Sequence, residues 1–373
     1  MLARLILAAA SWGTNDADTW HAFGQLVGDR GLIRLYETEK LMNHPPLMPY
    51  WARAAYVMTG GKSWFAFVFK LPMIAADGVT CWLLWRIGRE RSARLGAALS
   101  AGFALLPISI LITAHHCNTE PLYVMLSLAA VYLLQLGRPL SAGLALGLAI
   151  NVKLVPIFLV APLLASCAVR RDFLRLLAGL AIMAIPSLVV LCITPAAYLN
   201  NVVRYKSDVA HWGIGHFMLE MSGEPSLEMS AERMMAFWFE YGRYFILASS
   251  LALAGVQWRT RRYDRYTLAA IAMTLFLVIA PGFGLQYLLA PAALLLVAWP
   301  AGGGVYGVLA GLFALAWYLL HWDGTFPIRT IFVPIHPLPG RTFGLLTWGW
   351  LVVCLVRMLS SRGPTAQDAT SGH

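Results

Sequence analysis

The sequence predicts an all-helical, polytopic membrane protein, and three observations predict it. Of the 373 residues, 59% are hydrophobic and only 12% are charged, where a soluble domain averages about 45–50% and about 25%. The mean hydropathy is +0.66. The apolar residues fall in runs joined by short arginine-rich loops, the layout of membrane helices and their cytoplasmic connections. A soluble enzyme, a disordered chain and a disulfide-stapled secreted domain are all excluded on these grounds.

About twelve apolar segments can be read in order: 1–12, 64–85, 95–113, 120–136, 140–152, 153–168, 176–194, 243–257, 266–280, 285–299, 302–319 and 343–359. The first is short for a span of about 20 residues. Either its start lies upstream of Met1 or Ser11 to Thr14 complete it; Trp12-Gly13-Thr14-Asn15-Asp16 is a poor signal-peptide cleavage site. Four arginine clusters punctuate the rest: Arg86/Arg89/Arg91/Arg94, Arg170/Arg171/Arg175, Arg259/Arg261/Arg262/Arg265 and Arg357/Arg362. All four belong on the cytoplasmic side. One helix over 140–168 would put Arg138 and Arg170 on opposite sides, so the stretch is read as two short, broken helices parted near Asn151-Val152-Lys153. A polar break at membrane depth is tolerated only beside protein or a water-filled cavity, which places Lys153 at a cavity.

With twelve segments both termini are cytoplasmic. Three long loops, about 13–63, 195–242 and 320–342, then face outward, while every inner loop is short. Any chemistry is therefore extracytoplasmic. The integral-membrane domain runs over 1–359, and the polar, small-residue tail 360–373 reads as a disordered cytoplasmic extension. The net charge of +10 comes from 28 Lys+Arg against 18 Asp+Glu; its spread through short loops describes orientation, not a nucleic-acid face. The five cysteines stand in or beside apolar runs without metal-ligand spacing and read as buried small hydrophobes.

The first outer loop carries the most chemistry. Asp16 and Asp18 follow the first helix directly, and Asn43-His44-Pro45-Pro46-Leu47 comes later. Between them a short amphipathic helix would place Trp20, Phe23, Leu26 and Val27 on one side. The plain reading of Asp16 is a helix cap; the alternative is a general base at the membrane surface. In the second run Lys70 and Asp77 are seven apart, about 10 Å along the axis, too far to pair with ease. Lys70 then snorkels outward and Asp77 pairs with another helix, unless both line a substrate path. Lys153 is read either as a phosphate contact or as half of a structural pair. Arg204, Lys206, His211, Arg329 and Arg341 in the outer loops are ordinary solvated charges or lipid-phosphate contacts. Fourteen Trp and fourteen Tyr carry little weight, because these residues crowd membrane interfaces in any case.

The order of motifs resembles the GT-C glycosyltransferases, polytopic enzymes that take a sugar from a polyprenyl-phosphate carrier. The likeness rests on Asp16 after the first helix, the Trp20-His21 helix and His44-Pro45-Pro46-Leu47. It continues in Lys70-Leu71-Pro72 with Asp77, His115-His116-Cys117-Asn118-Thr119-Glu120-Pro121-Leu122, Lys153-Leu154-Val155-Pro156 and Pro281-Gly282-Phe283-Gly284-Leu285-Gln286-Tyr287. It spans roughly 11–291 and is closest to bacterial mannosyl- and glucosyltransferase-like proteins; the remainder resembles nothing comparable.

The resemblance implies an inverting transferase of the bacterial inner (plasma) membrane, with its site toward the periplasm or exterior. The donor would be a polyprenyl-phosphate hexose and the acceptor a lipid, glycan or protein hydroxyl. Such a donor already carries a good leaving group, so one carboxylate that deprotonates the acceptor suffices, with cations to hold the departing phosphate. Asp16 is the expected base, Asp18 the fallback and Glu120 a second acid. His44, Lys70, His115, His116, Asn118, Lys153, Arg204, His211, Gln286, Tyr287 and Arg341 are the expected substrate contacts. No residue is assigned to a metal; relatives both with and without one leave a divalent cation open, and His115, His116 and Glu120 match no strong metal spacing. A transporter or flippase using Lys70, Asp77 and Lys153 is the competing reading. It does not explain the acid-bearing first loop, and no internal repeat supports it. A third is a non-catalytic partner in envelope assembly, for which Asp16 would be dispensable.

Overall fold

In the computed structural model, residues 1–205, 213–215, 228–321 and 337–361 are described, and the side chains of 228–232 and 337–341 are left aside. All regular structure among them is helical. The helices are α1 (Leu2–Ala10), α2 (Asn15–Thr38), α3 (Leu47–Thr59), α4 (Phe65–Arg89), α5 (Ala93–Leu105), α6 (Pro107–Leu111), α7 (Glu120–Gln135) and α8 (Pro139–Val152). There follow α9 (Val160–Ala165), α10 (Arg170–Ile193), α11 (Pro195–Tyr198), α12 (Glu228–Thr260), α13 (Arg265–Ile279), α14 (Ala292–Ala298), α15 (Pro300–His321) and α16 (Pro337–Ser360).

Among the described residues, four stretches are long and apolar enough to cross a membrane: α4, α10, α15 and residues 342–360 of α16. A fifth crossing arises if α5 and the Pro107–His116 segment, bent by 48°, count as one. Pro107 explains the bend, because it cannot donate to the helix ladder and pushes Leu106 into an extended conformation (ψ 119°). Five of the remaining runs form the shorter apolar helices α7, α8, α13 and the pieces around 155–165 and 285–298; the first run forms α1, and 243–257 lies within α12.

The chain breaks at the lysine that the charge argument singled out. α8 ends at Val152, Lys153 is extended (φ −155°, ψ 145°), and one 3-10 stretch, Val155–Leu159, leads into α9. α8 packs tightly on α10 through glycines: a Cβ on Gly143 would lie 2.1 Å from Leu176 O, and one on Gly179 would lie 2.4 Å from Leu140 O. Asn151 bonds Met183 O and Ser187 across the same seam.

The second run departs from expectation at Lys70. Its side chain is fully buried rather than snorkelling, and its Nζ donates to Ser11 O at 2.7 Å. Asp77 does pair with another helix, and the partner is Arg4 of α1 at 2.7 Å.

The described members of the arginine clusters, together with Arg138, lie at one set of helix ends: the C-termini of α4, α7, α12 and α16 and the N-termini of α5, α10 and α13. There they cap open carbonyls, Arg261 on Ala165 O, Arg262 on Leu359 O and Arg265 on Leu134 O. Residues 14–44 meet the opposite ends, Asp16 at His116 and Asn118 before α7 and His44 at Val152 of α8, with Tyr318 near the end of α15 joined through His116. A 16-residue helix such as α7 separates the two sides by about 24 Å.

Candidate functional site

The site is built from a seam between two distant loops. After α1 the chain turns at Gly13, whose φ of +121° favours glycine and where a Cβ would lie 2.9 Å from both Cys117 Cβ and His115 O. Thr14 then caps α2, its Oγ1 accepting from the Asp16 N–H, and donates from the same hydroxyl to His116 O at 3.0 Å. The helix cap is thus Thr14, and Asp16 is left in the first turn with its carboxylate available. Opposite, α6 runs into a single π-helical turn, Ile112–His116, and Cys117 adopts φ +69° to reverse the chain into Asn118. Such turns often mark functional positions, because they re-aim side chains.

This seam sets Asp16 against His116 and Asn118. Asp16 Oδ2 accepts from His116 Nε2 at 3.0 Å and from Asn118 Nδ2. Asn118 Oδ1 takes the Thr119 N–H at 2.7 Å, so its amide group is oriented with the NH2 toward the carboxylate. His116 Nδ1 lies 2.7 Å from the hydroxyl of Tyr318 on α15. With Nε2 donating to the Asp16 carboxylate, His116 links α2 to the Tyr318 hydroxyl of α15. Oδ1 of Asp16 takes no hydrogen bond from any described residue, and the side chain keeps 24% of its surface open. Burial pushes this carboxyl upward, but the His116 bond and charge, the nearby Lys153 and the Asn118 bond outweigh it and hold it below its ordinary value.

Asp16 opens on a polar cavity of about 300 Å³. Seven of the expected site residues line it: Asp16, His44, His116, Asn118, Lys153, Gln286 and Tyr287. Asn15, Thr19, Trp20, Phe23, Leu41, Asn43, Tyr205 and Phe283–Leu285 complete the wall. Asp16 is the one carboxylate among the described lining residues. Asp18 points elsewhere, accepting from Trp12 Nε1 at 2.9 Å. Trp20, Phe23 and Val27 are buried on the inner side of α2, as the amphipathic pattern requires, and Trp20 meets the His44 ring edge-on at 4.7 Å.

His44 faces the Val152 carbonyl through Nδ1 at 3.2 Å, so Nδ1 carries the proton. Burial and the charge of Lys153 pull it down to about 3. It is therefore neutral at pH 7. On unfolding it regains an ordinary value near 6.5, so the unfolded chain binds the extra proton between those values. Stability is then fully present above about pH 6.5 and declines as pH falls toward 3. The unfolding midpoint of the purified protein should drop between pH 7.5 and 5, and His44→Gln, which keeps a donor for Val152 O, should lose part of that drop. An equal drop in both proteins would clear His44.

Lys153 and Glu120 form a buried ion pair. Glu120, the expected second acid, is fully buried as Lys153's partner and is not among the residues lining the cavity. Lys153 also lies 4.1 Å over the Tyr287 ring and reaches the cavity wall. Beyond it an apolar groove of about 190 Å³ continues between Leu154, Val155, Phe158, Val202, Val203, Ile246 and Phe276. The groove and the cavity share Asn43, Lys153, Tyr205, Phe283 and Tyr287.

Arg243 of α12 lines this groove; its guanidinium donates to Arg204 O and the Tyr244 hydroxyl, and its buried Nε has no hydrogen-bond partner among the described residues. It is a functional candidate that the sequence reading passed over; an arginine opening an apolar run between two tyrosines was the available signal. Tyr318 was also missed, for it sits inside an apolar run and only its hydroxyl partner distinguishes it.

Other expected contacts stand away from the cavity. Lys70 and His115 lie behind it, both on Ser11, His115 Nδ1 being 2.6 Å from Ser11 Oγ. Arg204 is exposed and bonds Asn200. His211 and the side chain of Arg341 lie outside the described residues, as do Lys206, Arg329 and the tail beyond Ser361. Among the described residues no three His, Cys, Asp or Glu side chains are grouped as metal ligands. His115, His116 and Glu120 diverge, to Ser11, Asp16 and Lys153 in turn.

Residues 65–281, more than half of the chain, match the family model of glycosyltransferase family 87. The chain belongs to glycosyltransferase family 87. This is a GT-C-type family, so the chain is a GT-C superfamily membrane glycosyltransferase, and the apolar helices described above agree with that. No curated protein matches the chain. The matched stretch of this transferase contains His116, Asn118, Glu120, Lys153 and Arg243. Asp16, His44, Gln286 and Tyr287 lie outside it and line the same cavity, and Tyr318, also outside it, meets the cavity residue His116.

Proposed function

We propose that this glycosyltransferase moves a hexose from a polyprenyl-phosphate carrier to an acceptor hydroxyl at the extracytoplasmic face of the bacterial inner membrane, with inversion and with Asp16 as general base. One observation carries the reading. A polar cavity holding a single described carboxylate joins an apolar groove, and Lys153 stands at the junction. A lipid-phosphate sugar has the same three parts in the same order: polar sugar, anionic phosphate, apolar chain.

In this reading the sugar occupies the cavity, near Asn15, Asn43, Asn118 and Gln286. The phosphate lies at Lys153 and Arg243, and the isoprenoid follows the groove. Asp16 takes the acceptor's proton as its oxygen bonds the anomeric carbon from the side opposite the phosphate. The C–O bond to phosphate breaks with its electron pair leaving on the phosphate oxygen. A glycosidase would need a second carboxylate about 5–9.5 Å from the first, and the cavity wall supplies none among its described residues. The diverging histidines do not form a metal set, so no step is routed through a divalent cation.

The side and the segment count rest on the positive-inside rule. The cavity lies at the helix ends opposite the arginine clusters, which supports an outward site and the twelve-segment topology with both ends inside. A transporter would also use a polar cavity, but it has no need of a base held by His116 and Asn118.

Membranes containing the protein, given radiolabelled polyprenyl-phosphate mannose or glucose together with a membrane extract as acceptor, should form labelled product. The matching nucleotide sugars should give none once lipid-carrier synthesis is blocked. Transfer from the nucleotide sugar under that block would reject the lipid donor.

A further inference from the structure

Lys153 is an odd phosphate ligand, because it already has an anion. Its Nζ pairs with Glu120, a carboxylate with no exposed surface, while the other oxygen of that carboxylate, Oε2, is buried and has no hydrogen-bond partner among the described residues. The Tyr287 ring face lies 4.1 Å from the same Nζ. If Lys153 served only to attract phosphate, Glu120 would work against it by cancelling the charge. A purely structural lysine, in turn, would have no reason to reach the wall where cavity and groove meet.

The chemistry of the leaving group resolves this. The donor phosphate is a diester and carries one negative charge. Cleavage of the sugar–oxygen bond leaves its electron pair on the phosphate and turns it into a monoester. The monoester has a second ionisation near pH 6, so it carries close to two charges at neutral pH. A bare ammonium in a shielded pocket would hold this product more tightly than the donor and slow its release.

We propose that Glu120 is a positioning residue that shares Lys153 with the phosphate and so keeps the site from preferring the monoester product over the diester donor. The proposal rests on the lipid-phosphate donor reading. Before donor binds, the Lys153–Glu120 pair is neutral. The monoanionic donor takes part of the lysine's hydrogen bonding, and the extra charge that appears on cleavage meets the nearby Glu120 carboxylate, which favours departure.

The test is titration of the purified full-length protein with a short-chain isoprenyl phosphate and with its methyl diester, at pH 8 and pH 5. Wild type should bind the two with affinities within about threefold at pH 8. Glu120→Gln keeps an oxygen for Lys153 but loses the charge, and should favour the monoester by about tenfold more, the scale of one charge at partly shielded range. That gain should vanish at pH 5, where the monoester has lost its second charge; a merely structural role has no such pH signature. Glu120→Asp should restore near-wild-type discrimination and keeps the question open to test if the Gln variant does not fold. It then stands against Glu120→Ala, which removes the charge with the side chain. Lys153→Gln should weaken both ligands.

If Glu120→Gln binds both ligands in the wild-type ratio at pH 8, the assignment falls while the donor reading stands. If wild type binds neither ligand, both fall together.

Discussion

Asp16→Asn should reduce sugar transfer by about 10²–10⁴-fold, the range over which a positioned general base contributes, with protein level and unfolding midpoint close to wild type. Asn is nearly isosteric and its side-chain oxygen still accepts from His116 and Asn118, so the cavity keeps its shape while losing its base. Asp18→Asn is the control. Asp18 is bound to Trp12 and stands off the cavity wall, so its loss should change the rate by no more than about threefold, the effect expected of a surface substitution. Equal loss in both variants, or none in Asp16→Asn, would remove Asp16 from the mechanism.

The pH profile sharpens this. In the free protein Asp16 is held below its ordinary value by His116, Lys153 and Asn118 against the upward push of burial. It is thus ionised down to pH values below about 4, and the acid limb of kcat/KM, which reports the free enzyme, should lie there. The same depression means that Asp16 contributes stability above its unfolded value, lost as pH falls through the folded one. On the proposed reading, donor phosphate at Lys153 would offset one of the charges that depress Asp16. The limb in kcat, which reports the bound complex, should therefore sit at higher pH than the limb in kcat/KM. His116→Gln should shift both limbs upward, because burial then meets less opposition. Coincident limbs would argue that phosphate binds away from Lys153.

What the sequence made legible followed from one-dimensional signals. Asp16 was marked by its place directly after an apolar run, and Lys153 by the need to break 140–168 so that Arg138 and Arg170 fall on one side. Neither argument names a partner, because partners are set by packing. Lys153 meets Glu120 33 positions away, and Arg4 meets Asp77 73 positions away. Arg4 drew no notice because a basic residue near the start of a short apolar run looks like a flank. Tyr318 was hidden because a buried tyrosine in an apolar run differs from a packing residue only by what its hydroxyl touches. Lys70 was misjudged for a related reason. Position along the helix allowed it to snorkel, but the chain leaving α1 supplies a carbonyl, Ser11 O, that satisfies the ammonium inside. Glu120 was marked as a second acid by its residue type, and the sequence held no sign that its partner would be Lys153.

Arg4→Met should destabilise the protein by about 3–5 kcal/mol, the cost of leaving one member of a buried ion pair uncompensated. Arg4 is 1% exposed and spends its guanidinium on four acceptors: Asp77 Oδ2 at 2.7 Å, Ala104 O at 2.6 Å, Ser109 Oγ at 2.8 Å and Phe103 O at 3.4 Å. Asp77 Oδ2 also accepts from Ser109 and from Thr113 at 2.8 Å. This network fastens α1 to α4, α5 and α6. The consequence reaches the site, because Ser11 to Asp16 leave directly from α1 and must lie against His116 for the base to be placed. Arg4→Met should therefore lower transfer along with the unfolding midpoint. Arg4→Met/Asp77→Leu removes both charges and should recover most of the midpoint, since a buried pair replaced by apolar groups is often neutral or stabilising. If stability returns in the double variant while transfer does not, the network positions the first loop as well as fastening α1. If Arg4→Met alone unfolds like wild type, the pair does not anchor α1, and the seam at Gly13 and Thr14 must hold the first loop by itself.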